Sequence, residues 1–292
     1  VIQIDVEKMR AEFQKGDAIR DQGLTEPDTV EKIRDLSYGP HGIDNTFDIY
    51  YPKGTKQALP TLIHIHGGGF FYGDKELYRF YTMFLASQGF TVVNFNYRLA
   101  PKHQYPAPLE DTNDLMHWIV DHAAEYYIDL NNLFLLGDSA GGQLTEQYAA
   151  LTTNPDYVAL FDFEIAPVQF NAVGLNCGAY FLGTEKPIEA SFPYYFGETP
   201  SASVKKTFPV EDYITSAFPP AFVMTASHDF LNTEGLQMGQ YLVSKSIETH
   251  FKVYSNQDAS ELGHVFHIDQ KSAIAKACNL DQVQFFQAHL NK

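Results

Sequence analysis

Ser139 stands in Gly137-Asp138-Ser139-Ala140-Gly141-Gly142, directly after the apolar run Leu133-Phe134-Leu135-Leu136 and directly before a helical pattern from Ala140 to Leu151. The order strand, sharp turn, helix lifts a serine hydroxyl onto the tip of a strained elbow, where it can serve as a nucleophile. Gly137 and Gly141 suit that turn, because a Cβ at either position would collide with the strand or helix brought close to it. A serine nucleophile needs a base within hydrogen-bond reach and an acid that orients the base. In this chain order both follow the serine, on loops after later strands. Asp229 lies just past the expected strand Ala221 to Ala226, and His264 follows Gly263 in the loop after the expected strand Thr249 to Tyr254. The predicted triad is Ser139, Asp229 and His264.

Each member has competitors. Glu234 is close to Asp229 in sequence, but it is expected to open the next helix, where a carboxylate favours the N-terminal dipole. Asp258 and Glu261 lie on the histidine's own loop and are expected to be solvated. His267 is three residues from His264 but has no flexible glycine before it. His64 and His66 are two apart on an expected strand and so share a face. No further ligands accompany them at metal spacing, which argues against zinc hydrolysis. His66-Gly67-Gly68-Gly69 is a second signal: its glycines let backbone N–H groups turn toward one point. With the N–H of Ala140 they would hold the negative oxygen of a tetrahedral intermediate. Donors aimed at that charge are worth on the order of 3 kcal/mol each in barrier height. No lysine follows the glycines in the spacing of a phosphate-cradling loop.

The elements that must position these residues alternate in type. An amphipathic helix is predicted over residues 5 to 22, with Val6, Met9, Phe13 and Ile19 on one face. Strands are predicted at Phe47 to Tyr51, Thr61 to His66, Thr91 to Asn96 and near Ala172 to Asn176, besides those above. Helices are predicted at Lys75 to Ser87, Leu109 to Tyr126, Glu234 to Ser246 and Ile268 to Leu290. Such alternation predicts an α/β fold, a mostly parallel sheet covered on both faces. Between Tyr157 and Phe196 ten of forty residues are Phe or Tyr, against 14% aromatic residues overall. Residues 178 to 207 are expected to form an insertion that, with the N-terminal helix, caps the site. Most of the rings are expected in the core, and a few against substrate. The whole chain, 1–292, is then one domain with cap elements at about 1–40 and 178–207.

Composition narrows the function classes. With 36 acidic and 20 basic residues the net charge is −16, which argues against nucleic acid or an anionic membrane as partner, and against anionic substrates. Two cysteines, Cys177 and Cys278, make no disulfide framework and suit a reducing compartment. Charges interrupt the apolar positions from Val1 to Gln14, unlike a signal peptide, and no run approaches the roughly 20 apolar residues of a membrane span. The expected location is cytoplasmic.

Three segments together resemble the hormone-sensitive-lipase-like branch of the α/β-hydrolase carboxylesterases. They are His66-Gly67-Gly68-Gly69-Phe70; Tyr97-Arg98-Leu99-Ala100-Pro101 with Pro106-Ala107-Pro108-Leu109-Glu110-Asp111; and Gly137-Asp138-Ser139-Ala140-Gly141-Gly142. The resemblance runs over roughly residues 45 to 290. It implies the α/β-hydrolase fold with a small cap, and hydrolysis of small or short-acyl carboxylic esters without a cofactor. It also implies Gly68, Gly69 and Ala140 as oxyanion donors, His66, Arg98, Glu110 and Asp111 as braces of the surrounding loops, and a homo-oligomer. Two features depart from the family pattern. Asp229 is followed by Phe230-Leu231 where the family has proline, and the approach from Tyr254 to His264 is long. Glu234-Gly235 and His264-Val265-Phe266 still match. An aryl-formamidase, another amidase or an acyltransferase would share the triad chemistry, because the pocket selects the acceptor. A ligand receptor on this fold would be expected to have lost a triad member, and all three are present.

Overall fold

The computed structural model describes residues 5–256 and 261–291. The chain runs α1 (Val6–Asp21), β1 (Val30–Ser37), β2 (Thr46–Pro52), β3 (Leu59–Ile65), α2 (Arg79–Ser87), β4 (Thr91–Phe95), α3 (Ala107–His122), β5 (Ile128–Asp138) and α4 (Ala140–Thr153). It continues with α5 (Pro155–Val158), β6 (Phe170–Asn176), α6 (Ile188–Ser191), α7 (Pro193–Phe196), α8 (Ala202–Lys206), β7 (Ala221–Ala226), α9 (Asn232–Ser244), β8 (Thr249–Tyr254) and α10 (Ala273–Ala288). The described strands form one eight-stranded sheet in the order β1-β2-β4-β3-β5-β6-β7-β8. β1 and β2 pair antiparallel, as do β2 and β4, and every later pairing is parallel. This is the mostly parallel α/β sheet that the alternation of elements predicts, and the α/β-hydrolase fold that the resemblance implies.

Continuous apolar runs become central strands because both faces of the sheet are covered. Alternate residues feed opposite cores: Ile63, Leu135 and Val173 pack on one side, and Leu62, Phe134, Ala172 and Phe222 on the other. The second core takes Val283, Phe285 and Phe286 of α10. The apolar face of that helix is therefore spent on the sheet.

Several expectations change. β1 falls inside the segment expected as cap, residues 1–40, yet it is the outer strand of the sheet. Its apolar residues Val30, Ile33 and Leu36 show no period of two. The pairing explains this: Ile33 faces Ile49 and Leu36 faces Phe47, with the register shifting between them. Asp35 lies at φ 56° in that gap. An extra residue in one strand turns the following side chains to the other face, so Ile33 and Leu36 meet the same core. On α1, Ile19 is not part of the packed face; it is 62% exposed. α2 starts at Arg79, four residues late. Lys75 lies instead in the preceding turn, buried, with its Nζ 2.8 Å from Asp48 and 2.9 Å from Asp35 and from Glu76. Charge held so far from water requires such partners. α10 begins at Ala273 after a short 3₁₀ turn, Phe266–Ile268. Residues 178–207 hold the short helices α6, α7 and α8.

One ionisable group in the core carries a pH signature. Glu146 of α4 is buried, and its Oε1 has no hydrogen-bond partner among the described residues. Burial, then the charge of Glu211, push its carboxyl well above the ordinary 4.5. A group whose folded value is raised contributes stability that is complete below its unfolded value and is lost as pH climbs toward the folded one. Glu146→Gln is therefore expected to flatten the decline in Tm as pH rises from about 4.5 into the alkaline range. Calorimetry across that range tests this, and an unchanged slope would contradict it.

Candidate active site

Ser139 closes the turn between β5 and α4 with φ 53° and ψ −119°. That left-handed conformation costs a non-glycine residue on the order of 1–3 kcal/mol and persists only where its surroundings enforce it. The enforcement is visible. The Ser139 N–H donates to the Asn176 carbonyl at 3.0 Å, and the Ser139 carbonyl accepts from Ala179 at 3.2 Å and Gln143 at 3.1 Å. A Cβ on Gly137 would come within 2.3 Å of the Gly141 carbonyl oxygen, and one on Gly141 within 2.1 Å of the Ile65 carbonyl oxygen.

Ser139 Oγ lies 3.0 Å from His264 Nε2, and His264 Nδ1 lies 2.7 Å from Asp229 Oδ1. The loop after β7 delivers Asp229, and the loop after β8 delivers His264. Asp229 also accepts from the Leu231 amide on Oδ1 at 2.9 Å and from the Thr225 hydroxyl on Oδ2 at 3.1 Å. Burial alone would raise the Asp229 carboxyl. The hydrogen bond and charge of His264, with the Leu231 amide, outweigh it and hold the group below the ordinary carboxylate range. Asp229 is therefore a charged acceptor that orients the imidazole. The ring of Phe230 lies 4.3 Å from that of His264, tilted at 44°. The residue that stands where the family has proline thus covers the histidine.

The competitors sit elsewhere. Glu234 occupies the first turn of α9. Glu261 is exposed. Asp258 lies outside the described residues, as does the part of the long approach loop at 257–260. His267 is buried edge-on against Tyr81 at 5.1 Å, and burial pushes it down to about 4, so it stays neutral. His64 and His66 are both buried. Among the described residues the trio at metal-ligand spacing is Cys177, Asp229 and His264. Two of its members, Asp229 and His264, are already joined to each other at 2.7 Å.

Gly68, Gly69 and Ala140 line the cavity that holds Ser139 and His264. Gly68 lies at φ 116°, and a Cβ there would fall 2.0 Å from the Tyr72 carbonyl oxygen. His66 supports this loop from below. Its ring stacks on Tyr97 at 4.1 Å, its Nδ1 is 2.7 Å from the Gly67 carbonyl oxygen, and burial pushes it down to about 4. Arg98 binds Asp111 through Nε at 2.8 Å and Glu110 through Nη2 at 2.8 Å, and its own N–H donates to Asp111 at 2.7 Å. That cluster ties the segment after β4 to the start of α3.

Two sets of hydrogen-bonded ties carry no sequence signal. Tyr78 accepts from the Gly67 N–H at 3.1 Å and donates to Asp138 Oδ2 at 2.8 Å, which bridges the glycine loop to the serine elbow. α1 has no fully buried residue and is held by polar clips. Arg10 donates to the Phe71 carbonyl at 2.8 Å and the Ala100 carbonyl at 3.0 Å, and Tyr72 donates to Asp17 at 2.7 Å. Met9, Phe13 and Gly16 of α1 thereby wall a cavity of about 490 Å³. Of the aromatic stretch 157–196, Phe192 and Tyr194 reach this cavity, whereas Tyr157, Tyr195 and Phe196 are buried in the core. Phe70, next to the glycine loop, stacks on Tyr195 at 4.0 Å.

Comparison with known proteins agrees with this geometry. A family model described as the α/β-hydrolase fold matches residues 62–268. The chain is 26% identical over 257 residues to carboxylesterase NlhH of Mycobacterium tuberculosis, covering 82% of this chain and 78% of the relative. It is 25% identical over 260 residues to an acetyl esterase of Salmonella choleraesuis, covering 86% and 78%. Among solved structures it resembles an inhibited esterase B from Lactobacillus rhamnosis, with a TM-score of 0.84, 25% identity, and 97% and 95% of the two chains covered. The chain belongs to the α/β-hydrolase fold family, in the hormone-sensitive-lipase-like branch whose motifs it carries.

Proposed function

We propose that this carboxylic ester hydrolase cleaves small, short-acyl esters through an acyl-enzyme on Ser139. The observation that carries the reading is the unbroken line from Ser139 Oγ through His264 to Asp229, at 3.0 and 2.7 Å, opening into an apolar cavity. Ser139 Oγ attacks the ester carbonyl carbon as its proton passes to His264 Nε2. Asp229 holds the imidazole in the tautomer that leaves Nε2 free and stabilises it once charged. The carbonyl π electrons move onto oxygen, where the amides of Gly68, Gly69 and Ala140 stabilise the negative charge. His264 gives its proton to the leaving alkoxide, so alcohol departs and the acyl group remains on Ser139. Water then attacks with His264 again as base, and collapse of the second tetrahedral intermediate frees the acid and restores the serine hydroxyl.

The short-acyl preference is supported by enclosure. α1 and the rings of Phe71, Tyr72, Phe192 and Tyr194 wall the cavity, so a long chain would have to displace them. The apolar lining and the overall charge of −16 favour uncharged esters over anionic ones.

Initial rates on p-nitrophenyl acetate, butyrate, octanoate and laurate test both parts. The expected result is turnover that falls steeply beyond butyrate and drops by about 10⁴-fold or more in Ser139→Ala. Near-normal rates in that variant would remove Ser139 as nucleophile. A profile that peaks at laurate would overturn the short-acyl reading. If acyl transfer to an added alcohol outruns hydrolysis, the chain is instead an acyltransferase using the same intermediate.

A further inference from the structure

Cys177 follows the last residue of β6 and is fully buried. Its φ of 45° is left-handed, a conformation that a non-glycine residue adopts only when held. Its N–H donates to the Met224 carbonyl at 2.8 Å, which anchors it beside β7. From there Sγ lies within 4.8 Å of the ligand atoms of both Asp229 and His264. Sγ also lies 3.9 Å from Met224 Sδ, and the Asp229 carboxylate and the backbone N–H of Val265, the residue after His264, are its other polar neighbours. Val265 is itself left-handed, at φ 50° and ψ 32°, a genuine outlier for a β-branched residue.

These contacts make the end of β6 a hub for all three loops of the triad. The Asn176 carbonyl and the Ala179 N–H grip the Ser139 backbone. Between them, Cys177 reaches the acid and the histidine loop. We infer that Cys177 is a positioning residue for the triad: between Met224 Sδ, a weak acceptor, and the ionised Asp229 carboxylate, its single S–H proton goes to the carboxylate, while its sulfur accepts from the Val265 amide, fixing the acid against the loop that carries His264. Burial, then the charge of Asp229, push the thiol well above its ordinary value. It therefore remains an S–H donor, not a thiolate that would repel the carboxylate. The second cysteine, Cys278, sits in α10, away from this cluster, and has no such part.

The inference rests on the proposed esterase chemistry and refines it. A donor to Asp229 disperses part of its negative charge. Removing that donor leaves a stronger counter-charge beside the imidazole, which stabilises the protonated, inactive base. The acid limb of kcat/KM then moves to higher pH.

The test compares wild type, Cys177→Ala and Cys177→Ser on p-nitrophenyl acetate across pH, with Tm measured for each. In Cys177→Ala, kcat is expected to fall by about two- to tenfold, the equivalent of one hydrogen bond, with KM within about twofold. The acid limb should move upward by a few tenths of a pH unit. Cys177→Ser keeps a donor at this position and is expected to restore both kcat and the acid limb. An acid limb and kcat unchanged in Cys177→Ala would overturn the inference while leaving the triad reading intact. So would equal loss in the alanine and serine variants together with a lowered Tm, which marks a packing role alone. A folded wild-type protein without turnover would overturn the triad reading, and this inference with it.

Discussion

The structure turns on a backbone conformation that Ser139 could not hold alone. An L-residue at φ 53° relaxes unless its neighbours forbid it. The neighbours here are chosen by size. Gly137 and Gly141 let β3, β5 and α4 approach within distances at which a Cβ would meet backbone oxygen. The α4 helix is buried from Ala140 to Leu151, so it cannot shift to relieve the turn. Packing energy spread over the central sheet thus holds one hydroxyl at the tip of the elbow.

Parallel order does the rest. β3, β5, β6, β7 and β8 end on one side of the sheet, and the glycine loop, Ser139, Cys177, Asp229 and His264 all emerge there. Loops at the carboxyl ends of parallel strands are where such sheets gather ligands. The loops are cross-tied: Tyr78 joins the glycine loop to Asp138, Tyr97 donates to the His66 carbonyl at 2.7 Å, and Arg98 joins the segment after β4 to α3 through Asp111. The N-terminal helix is attached in a different way. No residue of α1 is fully buried; Val6 and Met9 pack half-buried against the core, and hydrogen bonds from arginine side chains to backbone carbonyls fasten the helix.

What the sequence made legible follows this division. The central strands could be read because their burial on both faces leaves continuous apolar runs, and the elbow because its glycines, serine and helix are adjacent in the chain. The positions of Asp229 and His264 followed from counting strands after the serine. β1 was not legible, since the shifted pairing near Asp35 erases its period of two. The late start of α2 was hidden because Lys75 is compensated by Asp35 and Asp48 from other elements, and its own neighbours give no sign of that. The cavity wall also resists reading: nothing local distinguishes Phe192 and Tyr194, which line the cavity, from Tyr195, which stacks in the core. Likewise Cys177 is a lone cysteine in the sequence and acquires its surroundings only when β6, β7 and the histidine loop converge.

The central claim is that Ser139 is the activated nucleophile, and covalent capture tests it most directly. The folded protein would be treated with a small p-nitrophenyl alkylphosphonate and analysed by intact-mass and peptide mass spectrometry. The expected result is one adduct per chain, carried by the peptide containing Ser139, with none on Ser139→Ala. An adduct on another residue at a comparable rate, or no adduct on the folded wild-type protein, would contradict it.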